Sequence, residues 1–263
     1  MYVRLPLLLS FLIAVGFACT KDNSDPTHSN TVTLQFSNKA GSEPLVTGTS
    51  YPTTTGETFS VSLLNYYISN VKLIKEDGSQ VSFPDDYFLV MQTDTSTQHP
   101  ILTSVPAGDY TSVSFVVGVD SAKSVTTIDQ RTGVLDPAKT GNESMYWEWN
   151  SGYVFVRFEG LSPAAPLNSA GNTKFEYHIG GYGGRTAVTA NNLRTITLPL
   201  PQKITVNEET APRISITADL QKLFNSTSQI KISTTYSIHT PAAGTVVADN
   251  YKSMFSVSSV SND

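Results

Sequence analysis

Apolar and polar side chains alternate along residues 31–37 (TVTLQFS), placing Val32, Leu34 and Phe36 on one side. A period of two is the mark of a strand with one buried face. The same rhythm, punctuated by polar turns, returns at 87–92, 112–119, 153–158, 175–179, 193–198, 213–217 and 229–238. Residues 58–75 are long enough for two strands or one bent strand, and Glu76-Asp77-Gly78-Ser79 after them reads as a hairpin turn. The pattern predicts an all-β fold, a β-sandwich or open barrel of about ten strands with one or two short helices. One helical turn is expected after Asp219, carrying Leu220, Leu223 and Phe224. The other is expected over 245–255, where Val247, Tyr251, Met254 and Phe255 form an apolar stripe.

The first eighteen residues break this rhythm. Arg4 precedes an apolar run interrupted only by Pro6, Ser10 and Gly16, which reads as a secretory signal peptide too short for a stable span. Cys19, the sole cysteine, closes the run after the small Ala18, as in a bacterial lipobox, and is the expected lipidation site. Residues 19–30 read as a flexible tether and 31–263 as a single β domain. The expected location is extracytoplasmic, as an outer-membrane lipoprotein facing the periplasm or the cell surface. A lone cysteine makes no internal disulfide, so the domain must be held by its core. Charged residues make up only 15% of the chain and the formal net charge is −5, a balance that disfavours nucleic acid and anionic lipid as partners.

Catalytic motifs are missing. There is no phosphate-binding loop, serine elbow, paired-histidine helix or cysteine cluster, and no enzymatic activity is expected. The glycine-dense segment 180–184 lacks a Walker lysine and reads as a wide turn after a strand. Asp85-Asp86 and Glu208-Glu209 sit in turn-like contexts that favour solvated surface.

Candidate chemistry gathers on histidine and tryptophan. Of four histidines, His28 falls in the tether and His99 in a loop. His178 shares a strand face with Glu176, opposite Phe175, Tyr177 and Ile179. His239 ends a strand-like segment just before Pro241. The two imidazoles are either a pair for copper or zinc or two hydrogen-bonded structural residues. Both tryptophans, Trp147 and Trp149, lie two positions apart, on one face if the segment is a strand, with Ser151-Gly152 as a bulge beyond them. A core layer is the simplest purpose, and a glycan- or peptide-stacking platform is the alternative if that face is exposed. A structural role in a surface complex, without metal, is a further alternative.

Five blocks occur in order: Asn65 to Val71 (NYYISNV); Gly108-Asp109-Tyr110 leading into Phe115 to Asp120; Met145 to Tyr153 (MYWEWNSGY); Phe175 to Gly180 (FEYHIG); and Ala248 to Tyr251 with Met254-Phe255. Together they resemble the MbnP-like family, exported proteins related to the methanobactin-associated periplasmic copper-binding protein. The resemblance implies an all-β domain that binds copper through histidine. In some relatives a tryptophan oxidised to kynurenine by a partner dihaem, peroxidase-like enzyme joins the imidazoles. Carried onto matching positions, it points to His178 as an imidazole ligand and to Trp147 or Trp149 as the modifiable residue. Some relatives place a histidine two residues from that tryptophan; this chain has no Trp-x-His, and His239 is our own assignment for the second imidazole. Met254 offers a thioether, but on a helix face it reads as core.

Overall fold

The computed structural model describes residues 29–139 and 144–262. The expected leader, Cys19 and His28 lie outside the described residues. Its strands, in chain order, are β1 (Ser29–Ala40), β2 (Glu43–Pro44), β3 (Ser50–Pro52), β4 (Thr58–Ile74), β5 (Gln80–Met91), β6 (Ile101–Pro106) and β7 (Gly108–Val117). They continue as β8 (Tyr146–Trp147), β9 (Gly152–Leu161), β10 (Lys174–Gly180), β11 (Arg194–Val206), β12 (Arg213–Asp219), β13 (Ser237–Ile238) and β14 (Phe255–Ser261). Among the described residues three α-helices accompany them: α1 (Ser121–Ser124), α2 (Gln221–Phe224) and α3 (Pro241–Tyr251).

Two sheets form a sandwich. One has the order β14-β12-β1-β2, with β6 also paired to β1. The other runs β11-β7-β4-β9-β10-β13, and β3, β5 and β8 attach to its central strands. Between the sheets lies a continuous core of alternate-position residues, among them Val32, Leu34 and Phe36 from β1 and Leu64, Tyr66 and Ile68 from β4. Phe158 packs edge-on against Phe59, Phe175 and Phe224, and Phe175 against Tyr177, in a ring cluster under α2.

Strand β4 is one bent strand. Asn70 takes a φ of 50° there, and the pairing with β5 slips between Ser69 and Val71. After β4 the chain turns at Gly78, whose φ of 83° suits glycine. The larger sheet also buries part of its outer face. Residues 118–139 and 144–151 cross it and cover Tyr67, Leu89, Tyr153 and Phe155 in a second core. The Tyr67 hydroxyl donates to the Val134 carbonyl (2.9 Å) and the Tyr153 hydroxyl to that of Leu135 (2.7 Å), pinning the cover down.

Several expectations are corrected. Segment 229–238 forms a strand only at Ser237–Ile238, because the Glu57 carboxylate accepts from the N–H groups of Ile232 (2.5 Å) and Ser233 (3.1 Å) and a turn follows at Lys231. The second helix begins earlier, at Pro241, with the Thr240 hydroxyl as its N-cap. It ends at Tyr251, so Phe255 opens β14 and packs against Phe36, Tyr66 and Phe115. Met254 is core, 2% exposed. Trp147 and Trp149 do not share a strand face: β8 stops at Trp147, and Ser151-Gly152 belongs to a tight turn into β9 rather than a bulge. The expected tryptophan core layer is absent as well, since Trp149 is 48% exposed.

Candidate metal centre

Beyond the cover, the outer face of β9 and β10 turns polar. Alternation points Val156 and Phe158 inward and Arg157 and Glu159 outward on β9; on β10 it points Phe175, Tyr177 and Ile179 inward and Glu176 and His178 outward. The antiparallel register sets Glu176 opposite Glu159 and His178 opposite Arg157. Two carboxylates facing each other across a ladder repel, and cations resolve the conflict. Lys174 Nζ bridges them, 2.9 Å from Glu159 Oε2 and 2.6 Å from Glu176 Oε1. Arg157 Nε donates to Glu159 Oε1 at 2.6 Å.

His239 arrives by a parallel pairing. Strand β13 runs beside β10 with Ser237 opposite Glu176 and Ile238 opposite Tyr177, so the next pair in step is His239 with His178. Alternation buries Ile238 and turns His239 outward. The chain is then anchored by α3, where Gly244 allows the helix to approach Ile179 closely: a Cβ there would lie 3.2 Å from Cγ2 of Ile179. Buried Asn192 ties the two elements together, donating to the carbonyls of Gly180 and Pro241 at 2.8 Å each.

The two imidazoles meet edge to face, their ring centroids 4.5 Å apart and their planes at 79°. His178 Nε2 lies 2.8 Å from Glu159 Oε1, and His239 Nε2 lies 4.0 Å from Glu176 Oε2. Burial and the neighbouring His178 lower the pKa of His239, outweighing the attraction of Glu176 and Glu159, so this ring favours its neutral form. For Glu159 burial works to raise the pKa, but the hydrogen bonds from His178 and Lys174 and the charge of Arg157 prevail and hold it far below the usual carboxylate range.

Glu159 therefore couples this face to acid stability. Its folded pKa is depressed, so its contribution is present above the unfolded carboxylate value and is lost as pH falls from about 4 toward the folded value, where the unfolded chain binds the proton first. Urea denaturation between neutral and strongly acidic pH should show a shallower loss of stability in Glu159→Gln than in the parent. Equal slopes would contradict the assignment.

The indoles flank the same face. Gly180 stands two residues beyond His178 on the same side of β10, and the Trp147 ring occupies the space above it: a Cβ at 180 would lie 2.8 Å from Cζ3. The Trp147 ring is thus seated two residues along β10 from His178, past the slip in the β9–β10 register between Ile179 and Gly180. Trp149 stacks on Trp147 with centroids 5.0 Å apart and planes at 23°, and its outer side borders a cleft of about 340 Å³ shared with Arg185 and Tyr182. The structure brings together His178 and His239, seats Trp147 over Gly180 further along β10, and sets Trp149 one ring further out. His99 lies elsewhere, beside an apolar groove with Phe88 and Ile101.

Two donor sets overlap here. Donor atoms of Glu159, Glu176 and His178 lie within 4.8 Å of one another. Glu159 is committed to two cations, however, and Glu176 gives one oxygen to Lys174. The two carboxylates and the two cations balance in charge, which leaves imidazole nitrogen as the donor type not tied up in ion pairs between the strands. Sequence reasoning missed Glu159, Arg157 and Lys174. Their outward positions follow from alternation, but their role depends on the cross-strand register.

A protein-family model described as MbnP matches residues 29–241. The sequence matches no curated protein. Among solved structures the fold is similar to MbnP from Methylosinus trichosporium, at 18% identity and a TM-score of 0.51, over 76% of this chain and 79% of that one. At this identity the likeness speaks for the fold alone.

Proposed function

This chain belongs to the MbnP family, and on that premise we propose that it binds copper at the His178–His239 pair. In this reading it is a non-enzymatic extracytoplasmic protein, tethered to the outer membrane through lipidated Cys19. The observation that carries the proposal is the meeting of the two imidazoles at 4.5 Å on a face whose remaining charges already balance. Imidazole suits copper, and neutral imidazole offers its lone pair at no cost in charge.

The residues present fit a bound copper ion. His178 and His239 would supply the two nitrogens, and Glu176 Oε2, 4.0 Å from His239 Nε2, is an oxygen within reach. Trp147 packs over Gly180, two residues along β10 from His178, and in this reading is the indole that joins them. Cleavage of its C2–C3 bond by a partner dihaem, peroxidase-like enzyme, with dioxygen or two equivalents of peroxide as oxidant and hydrolytic loss of C2 as formate, would leave kynurenine, whose aryl amine would be a third nitrogen. Trp149, stacked outside it, is the face such a partner would meet first.

The reading has a defined pH dependence. Copper competes with protons for the imidazoles, so affinity should fall as pH drops through the histidine range. Because its pKa is lowered, His239 should remain a ligand into more acid solution than an ordinary histidine. Copper titration against a chelator of known affinity at several pH values measures this. Unchanged retention well below the range, at about pH 4, would rule out imidazole ligation.

A further inference from the structure

We infer that Glu159 is a positioning residue for this centre: it holds the His178 ring with Nε2–H donated to its carboxylate, so that Nδ1 carries the lone pair offered to metal. The inference rests on the copper reading above and concerns the ring before any metal arrives. Glu159 Oε1 lies 2.8 Å from His178 Nε2, and the residue is only 5% exposed. Two cations hold the carboxylate ionised, Arg157 Nε at 2.6 Å from Oε1 and Lys174 Nζ at 2.9 Å from Oε2. An ionised carboxylate has no proton to give, so across this contact the imidazole must be the donor.

A rival contact exists and does not compete. Arg157 Nε also lies 3.4 Å from His178 Nε2, which would make that nitrogen an acceptor. The guanidinium Nε carries a single hydrogen, and the 2.6 Å approach to Glu159 Oε1 claims it. Both donors therefore converge on the same oxygen. A neutral imidazole has one donor nitrogen and one acceptor nitrogen, and with Nε2 donating the acceptor is Nδ1.

The arrangement matches the outer-sphere carboxylate that commonly orients a metal-binding histidine. Direct ligation by Glu159 would instead require the carboxylate to leave Arg157 and Lys174, stranding two cations on a half-buried face. Glu159 is thus assigned to orientation, and the oxygen nearest His239 belongs to Glu176.

The test is nitrogen-15 NMR of the histidine rings in the metal-free protein at about pH 8.5, where imidazole is neutral. The parent should show His178 protonated at Nε2 and bare at Nδ1. In Glu159→Ala that preference should be lost, and copper affinity should fall about 10- to 100-fold. Glu159→Asp should recover part of both. A parent ring protonated at Nδ1, or without preference, overturns the inference, and so does an alanine variant with the tautomer unchanged. If the alanine variant fails to fold, the parent spectrum and the aspartate variant decide. A locked ring in a protein that retains no copper would defeat the copper reading and leave the tautomer assignment standing.

Discussion

His178→Ala should abolish stable copper retention. The ring is a direct ligand in this account, and loss of an outer-sphere partner alone costs about 10- to 100-fold in affinity, so loss of the ligand should cost more than about 100-fold. Equilibrium competition with a chelator, followed by metal content after desalting, reads the effect. His239→Ala should behave alike, because the parallel pairing of β13 with β10 leaves one imidazole without its neighbour. The tryptophans should separate: Trp147→Phe disturbs the ring seated over Gly180, whereas Trp149→Phe removes a half-exposed outer indole and should leave the affinity within a few-fold of the parent. Equal retention in parent and His178→Ala would remove His178 from the site.

The second large effect is on the fold that presents these residues. Phe158→Ala should destabilise the domain by about 3–5 kcal/mol, the range for deleting a buried aromatic ring. Phe158 stands in the middle of β9 and meets Phe59, Phe175, Tyr177 and Phe224, rings drawn from two neighbouring strands and from α2. The cavity would open beneath the ladder that carries Arg157 and Glu159. For a domain of this size the loss corresponds to a fall in Tm of roughly 6–20 °C. Leu161→Ala, at an exposed position on the same strand, should cost no more than about 0.5 kcal/mol. Urea denaturation of the three proteins tests both values, and a loss below about 1 kcal/mol for Phe158→Ala would place the ring outside the core.

How far the sequence discloses this architecture differs from residue to residue. Strands with a strict period of two are legible: Val32, Leu34 and Phe36 face the core, and His178 points away from it beside Glu176. Residues 229–236 look equally strand-like, yet the N–H groups of Ile232 and Ser233 go to Glu57, a partner far away in sequence that no local pattern reveals. Phe255 fits a helical stripe and a strand equally well, and the decision falls to its packing against Phe36 and Phe115. Within the centre, His239 is legible only as the end of a strand-like segment, two residues ahead of Pro241. Its meeting with His178 depends on a parallel register between distant segments. Glu159 carries no sequence signal for its role, because that role is created by Lys174 and His178 on the opposite strand. The tryptophan pair is obvious in composition and misleading in periodicity, since the hairpin that ends β8 at Trp147 turns a supposed strand face into a surface stack.

The central claim is that His178 and His239 hold one copper ion between them. X-ray absorption spectroscopy of the copper-loaded, desalted protein tests it most directly, because imidazole rings give an outer-shell scattering pattern that carboxylate oxygen and thioether sulfur do not. The account predicts one retained copper per chain with the scattering of two imidazoles. Copper with no imidazole scattering, or none retained by protein carrying the oxidised tryptophan, would contradict it.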